Sequence, residues 1–278
     1  MNKRLAYLFV VFISMIFFNN QTVYATETPV TPEPMSVLLL GIDTGSLGRT
    51  EVGRSDVIMV MTINPKTNHI TLTSIPRDTY VEIVGQGMMD KINHAYAFGG
   101  IEMSRATVEQ FLDIPIEHYM AVNMAGLSEL IDQVGGVEVI PPTTFSISGY
   151  DFIEGQAITL DGEMALAYVR ERNTSGGDYG RQERQRQLVT AVIHQISKSK
   201  NIFNLKNIFY SLNENIKTDF DFMTLMGLYK EFNDSVDNVT TYQISGYPQM
   251  IENIYYEVPD AEVLEDVKYA IKNELTKQ

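Results

Sequence analysis

Residues 37–42, VLLLGI, form a continuous apolar run that stops at Asp43 and opens into a glycine-containing loop. A run of that length without alternation is what a fully buried strand requires, and it places a carboxylate at the strand's C-terminal end. Two more strands are expected close behind. Residues 57–63 follow Gly53-Arg54-Ser55-Asp56, and residues 70–75 are closed by Pro76-Arg77-Asp78. Three strands in succession, each with charged residues at an end, predict a central sheet with a polar site on its rim. Downstream the pattern alternates: a helix at 101–112, a strand at 119–123, a helix at 124–133, a Gly135-Gly136 turn into a strand, and a short helix at 164–169. Alternation of this kind predicts an α/β layered domain. After residue 196, helices are expected near 202–215, 222–234 and 261–275 and strands near 239–245 and 253–257, a part with no readable chemistry that serves to cover the sheet.

With 278 residues, 44% of them hydrophobic, the chain suffices for one large core. Lys3 and Arg4 precede an apolar run at 5–18, and Val23-Tyr24-Ala25 reads as a cleavage site, so residues 1–25 are an export signal, either cleaved or kept as a short anchor. The 14 apolar residues fall short of the roughly 18 to 20 of a membrane span, which favours cleavage. Residues 26–35, beginning TETPVTPEP, form a proline-rich linker, and 36–278 form the folded domain. Without the signal, 19 basic residues face 35 acidic ones, which opposes nucleic acid as a partner. The absence of cysteine excludes disulfides, thiolate zinc sites and thiol nucleophiles together.

Against that acidic background, five of the ten arginines lie within 168–187, YVRERNTSGGDYGRQERQRQ. Asp178 is a candidate N-cap for a helix starting near Gly180, whose apolar positions 188, 189, 192, 193 and 196 define a buried stripe. Projected back by three, four and seven residues, the stripe passes through Gln185 and Arg181, while Arg186 falls with Thr190 and His194 on the opposite side. An inward arginine in a first helical turn opposes the helix dipole. A phosphate resolves the conflict, because helix N-termini and guanidinium forks both suit its oxygens. The alternative is a solvated basic helix.

Asp43 and Asp56, on neighbouring strand ends, suit one hard cation such as magnesium, which takes one or two carboxylates and completes its shell with water and phosphate oxygens. Alternatively they are a turn former and a cap. Arg77 follows Pro76, whose locked backbone directs it either to a phosphate or to Asp78. Lys91, Asn93 and His94 are site or ordinary loop residues. No nucleophile elbow, GxxxxGK[ST] loop or HExxH motif is present.

Taken together, LLLGID, GRSD, SIPRDTYV, DKINHAYAFGG, IDQVGGV, LDGEMALAYVRER and GDYGRQERQRQ resemble the LytR-CpsA-Psr family, in its order and spacing, over about residues 37–196. A looser similarity in 197–278 includes YYEVPD. The resemblance implies a three-layer α/β/α sandwich with a central mixed sheet and a groove for lipid. It implies a phosphotransferase that moves a glycopolymer, such as teichoic acid or capsular polysaccharide, from a polyprenyl (undecaprenyl) diphosphate carrier to a peptidoglycan sugar hydroxyl. The setting it implies is the extracytoplasmic membrane face or wall of a Gram-positive cell, with Mg2+ or Mn2+ as cofactor.

Carried over by position, Asp43 and Asp56 match the acids near the metal, and Arg54 lies in the matching GRSD. Arg77, Arg170, Arg172 and Arg181 match the arginines that hold the diphosphate. Asp78, Asp178 and Gln185 fall on other polar site positions, beside Lys91 and Asn93 as further candidates. Arg77, Asp78, Arg172 and Arg181 form the expected catalytic set. The chain departs from the pattern after Asp43, where Thr44 and Gly45 stand in place of an arginine and only Arg49 is near enough to substitute. The rival readings are a non-catalytic lipid-diphosphate or glycan-binding protein, and a pyrophosphatase side activity with water as acceptor. Transcriptional attenuation is opposed by export and by the acidic balance. Polymer recognition is expected in loops such as 142–154.

Overall fold

The computed structural model describes residues 33–43, 53–173, 176–198, 208, 210, 215–232 and 238–277. The expected signal, nearly all of the linker, Thr44, Gly45, Arg49 and most of the helix expected near 202–215 lie outside them. Among the described residues no helix is long and apolar enough to cross a membrane.

In chain order the described elements begin with β1 (Met35–Ile42), β2 (Ser55–Asn64), β3 (His69–Ser74), β4 (Tyr80–Ile83), β5 (Met88–Lys91), α1 (His94–Leu112) and β6 (His118–Asn123). They continue with α2 (Met124–Gln133), β7 (Val137–Val139), β8 (Phe145–Ile147), β9 (Tyr150–Phe152), β10 (Ile158–Leu160), α3 (Gly162–Arg170) and α4 (Gly177–Lys198). The rest are β11 (Ile216–Thr218), α5 (Phe222–Phe232), β12 (Val239–Gln243), β13 (Gly246–Ile251), β14 (Ile254–Pro259) and α6 (Ala261–Thr276).

Six strands make a mixed central sheet in the order β11-β6-β1-β2-β3-β12. β1 pairs with β2 antiparallel and with β6 parallel. The apolar run of β1 is explained by its two covered faces, since side chains alternate across a strand. Leu38, Leu40 and Ile42 pack with Ile58 and Val60 under Val108 and Leu112 of α1 and Val267 and Ile271 of α6. On the opposite face, Val37, Ile63 and Ile70 meet Phe220, just before α5, and Leu228 of α5, with Ile193 of α4 packed against them. The architecture is therefore the expected three-layer α/β/α sandwich. Each of these fully buried aliphatic side chains contributes roughly 1.5–3 kcal/mol through area removed from water.

A second core joins Ile131, Val137, Phe145, Phe152, Leu160, Tyr168 and Leu188, with the Phe145 and Phe152 rings stacked 4.7 Å apart. It holds α3 and the first half of α4 on a packed base, and so braces both flanks of the arginine-rich turn.

Three differences from the sequence reading matter for function. α1 starts at His94 rather than 101, because one helical turn precedes a kink at Gly99 and Gly100, the latter at φ 63°. α4 starts at Gly177, so Asp178 lies inside the first turn rather than capping it. The C-terminal part does more than cover the sheet. β12 is its edge strand beside β3, and Glu257 of β14 donates its N–H to the Asp78 carbonyl at 2.9 Å.

Candidate functional site

The site is built where β1, β2 and β3 reach the rim of the sheet and the N-terminus of α4 crosses it. β2 carries a bulge there: Gly41 pairs with Val57 but Ile42 pairs with Ser55, which leaves Asp56 without a partner across the ladder. A bulge of this kind re-aims the extra side chain. Asp56 Oδ1 accepts a hydrogen bond from Arg77 Nη1 at 2.9 Å. Asp43 closes β1 beside it, its N–H donating to the Arg54 carbonyl at 3.0 Å.

Arg77 and Asp78 follow β3 in a turn with fixed backbone partners. Asn93 N–H donates to the Arg77 carbonyl at 3.2 Å and Ile92 N–H to the Thr79 carbonyl at 2.9 Å. Asp78 Oδ1 pairs with Lys91 Nζ at 2.7 Å, and its other oxygen lies 3.6 Å from Arg77 Nε. From the opposite wall, α4 turns Arg181, Gln182, Arg184 and Gln185 inward. Arg181 pairs with Asp178, Gln182 Nε2 donates to Asp178 Oδ2 at 3.0 Å, and Gln243 Nε2 of β12 donates to Gln182 Oε1 at 2.7 Å. Asp56, Arg77, Asp178, Gln182 and Gln185 line one narrow cleft.

The two arginines at this cleft sit in opposite electrostatic environments. Burial opposes the Arg77 charge, yet Asp56, Asp78 and Asp178 more than compensate and its pKa is raised. For Arg181 the balance runs the other way: burial dominates, Arg77 and Arg172 repel, and the pKa is lowered despite Asp178 and Asp56. The Nε donors of Arg77 and Arg181 are buried and make no hydrogen bond among the described residues. A buried donor left unsatisfied costs about 1–3 kcal/mol, and more when charged. Two such donors beside a helix N-terminus make a site for anionic oxygens.

Not every expected residue joins them. Arg172 is exposed at the rim, near enough to Arg181 to depress its pKa. Arg54 is exposed just before the bulge. Arg170, also exposed, lines a different groove of about 660 Å³ between α2 and α3, with Glu129, Asp132 and Glu163. Asn93 is buried beneath the Arg77 turn at the start of α1, and its Oδ1 makes no hydrogen bond among the described residues. His94 is structural: its Nδ1 meets Asp90 Oδ2 at 2.7 Å and its ring lies against Phe98. Arg186, expected on the far side of α4, is half-buried and donates to Gln243 Oε1 at 2.6 Å.

Arg184 is fully buried and serves the fold. Its Nε donates to the Tyr168 carbonyl at 3.0 Å, its Nη2 reaches Glu171 Oε2 at 3.1 Å, and its guanidinium lies 5.0 Å from the Phe145 ring centroid. Gln182 escaped the sequence reading although it lies on the same helical stripe, three residues before Gln185. Tyr179, Tyr255 and Glu257 were missed because they meet only in the tertiary structure.

Among the described residues no three His, Cys, Asp or Glu side chains cluster as a metal cage. Asp43 and Asp56 instead offer two carboxylates from paired strand ends, a donor set that fits magnesium when phosphate and water complete the shell.

The sequence model of the LytR_cpsA_psr family matches residues 17–273. The chain belongs to the LytR-CpsA-Psr family. A relative in Enterococcus faecalis, named polyisoprenyl-teichoic acid–peptidoglycan teichoic acid transferase TagU, is 46% identical over 244 residues, 87% of this chain and 80% of the relative. The crystal structure of Bacillus subtilis TagU aligns with a TM-score of 0.72 at 37% identity, covering 89% of this chain and 99% of that one. A structure described as TagT bound to LIIa-WTA aligns with a TM-score of 0.74 at 30% identity, covering 89% and 92%. These likenesses span both the arginine-bearing core and the C-terminal part of the LytR-CpsA-Psr domain.

Proposed function

We propose that this chain transfers a teichoic-acid-type glycopolymer from a polyisoprenyl diphosphate carrier to a sugar hydroxyl of peptidoglycan. The observation that carries this reading is that Arg77, in the cleft, and Arg181, at the α4 N-terminus beside it, each bury an Nε that makes no hydrogen bond among the described residues. Guanidinium donors of this kind suit phosphate oxygens, and the relatives' names supply the chemical class.

In the reaction the acceptor oxygen bonds to the phosphorus nearest the glycan. The bond from that phosphorus to the bridging oxygen breaks, and polyprenyl phosphate leaves. The hydroxyl proton passes to a rim carboxylate: Asp78, or Asp43 or Asp56 if that one holds no metal. Arg77, Arg181 and the rim residue Arg172 hold the non-bridging oxygens, so catalysis is positioning and charge stabilisation. Gln182 and Gln185 orient the α4 wall, and Lys91 keeps Asp78 in place through its 2.7 Å contact. Mg2+ or Mn2+ held by Asp43 and Asp56 supplies further positive charge to the diphosphate when bound. The basic-then-apolar N-terminus and a lipid-linked donor support a reaction at the extracytoplasmic membrane surface, and the resemblance supports undecaprenyl as the carrier.

The test is a transfer assay with the full chain, a short polyprenyl-diphosphate-linked saccharide and peptidoglycan oligomers. Wild type yields glycan-bearing peptidoglycan, while Arg172→Ala and Asp56→Ala lower the rate by ~10²-fold or more. Lipid binding that depends on Arg172, without product, would replace transfer by the binding-protein reading.

A further inference from the structure

The two faces of the β13–β14 hairpin have opposite character. Paired residues share a face, so Tyr255 and Met250 lie beside Glu257 and Pro248, while Tyr256 and Gln249 turn the other way. Tyr256 anchors the hairpin: its ring packs edge-on against Tyr80 at 4.8 Å and its hydroxyl donates to Asp90 at 3.3 Å. The other face stays open beside the cleft, with Tyr255 42% and Met250 63% exposed.

That open face is held in one geometry by a carboxylate. Glu257 is only 7% exposed. One of its oxygens accepts the hydroxyl of Tyr179 from the first turn of α4, and the other accepts the Tyr255 hydroxyl at 2.9 Å. Gly246 N–H completes the link by donating to Tyr179 Oη at 3.0 Å. Lys91 Nζ, paired with Asp78, lies 5.8 Å from the Tyr255 ring centroid. Burial, Glu257, Asp78 and Asp178 together push the Tyr255 phenol up to about 12, which places it beside the same acids that border the arginine cleft.

We propose that this face is a sugar subsite, with the Tyr255 ring as the platform for the pyranose bonded directly to the donor's diphosphate. The inference rests on the diphosphate reading of the adjoining cleft and names what lies next to it. A pyranose has an apolar C–H face and a hydroxyl rim. Its match is an exposed aromatic face, electron-rich at its centre, with charged hydrogen-bonding groups at the edge. Tyr255 provides the face and Lys91 and Asp78 the charged groups beside it, while Glu257 holds the ring in place. The covalent bond between sugar and phosphate commits the site to the donor. A sugar attached to a phosphate in the cleft must lie within one residue's reach of its wall, and this hairpin is the wall that adjoins Asp78.

The test measures binding of two ligands by the full chain: polyprenyl diphosphate without sugar, and the same lipid carrying a disaccharide. Wild type binds the sugar-bearing lipid more tightly. Tyr255→Ala loses about fivefold to tenfold for that ligand, the range of one well-placed aromatic contact, and binds the sugar-free lipid as before. Tyr255→Phe retains the preference, because the ring is kept. Equal weakening of both ligands, or Tyr255→Phe as poor as Tyr255→Ala, would overturn the platform. A change confined to the KM of the peptidoglycan acceptor would assign the face to the acceptor instead and overturn the donor assignment. Failure of wild type to bind the sugar-free lipid would refute the diphosphate reading itself, and the subsite with it.

Discussion

Arg181 and Arg184 lie one helical turn apart on α4, and the structure assigns them opposite work, so replacing Arg181 by alanine has a distinctive signature. Arg181 is 8% exposed, its Nε is unpartnered, and its pKa is lowered first by burial and then by Arg77 and Arg172. The free protein therefore gains little from it. Its partner Asp178 has a side chain 39% exposed and remains hydrated once the guanidinium is gone, so unfolding free energy should change by less than about 1 kcal/mol. The ligand loses far more. Hydrogen bonds to charged groups are worth about 1.5–3 kcal/mol each, and loss of even one lowers affinity by roughly 10- to 100-fold. The assay is denaturant unfolding with and without polyprenyl diphosphate. At about 100 times its Kd, a ligand stabilises by about 2.7 kcal/mol. Wild type should show that increment, whereas Arg181→Ala at the same ligand concentration should lose most of it. A variant destabilised by several kcal/mol that keeps the full ligand increment would show that Arg181 is structural and that the cleft does not hold the diphosphate.

Arg184→Met should do the reverse. It removes the cation beside Glu171, which is 4% exposed and keeps the Asn173 N–H on Oε1, and removal of one member of a buried pair costs about 3–5 kcal/mol, read as a fall in Tm on the order of 10 °C. Gly162→Ala should also destabilise, because a Cβ there would lie 2.3 Å from Ser128 Oγ and 2.4 Å from its carbonyl oxygen. Overpacking of that kind costs about 1–3 kcal/mol, which calorimetry would detect. Stability should depend on Glu274 at low pH. Burial raises its pKa, but His69 and Thr67 outweigh that and leave it lowered. A depressed carboxylate contributes stability that is present above its unfolded pKa of about 4.3 and is lost as pH falls through the lower folded value. Wild type should therefore lose more stability than Glu274→Gln between about pH 5 and pH 3, and parallel curves would refute the assignment.

The parts of the molecule that sequence periodicity revealed are those where one element alone determines burial. β1 lacks alternation because α1 and α6 cover one face and α4 and α5 the other, and the stripe along α4 led directly to Arg181 and Gln185. Where two elements must combine, the pattern was silent. Asp56 enters the cleft because of a bulge, which leaves no periodic trace. Arg170 and Arg172 alternate in sequence as strand neighbours would, yet Arg170 is the last residue of α3 and Glu171 is its extended cap at φ −61°, ψ 134°. They consequently serve different surfaces. Arg184 looked like one more cation in a basic run until Glu171 and Phe145 supplied its partners. Glu257 and Tyr179 are 78 positions apart, and short hairpin strands such as β13 and β14 carry little periodic signal of their own.

The central claim is that the cleft between the β3 turn and α4 directs attack at the phosphorus nearest the glycan. Its most direct measurement is mass analysis of both products after one round of transfer by the full chain, with 18O in the bridging oxygen of the donor's diphosphate. The account predicts peptidoglycan carrying glycan through a single unlabelled phosphodiester, and polyprenyl monophosphate that retains the label. Release of polyprenyl diphosphate with a glycan joined to peptidoglycan without phosphorus would contradict it.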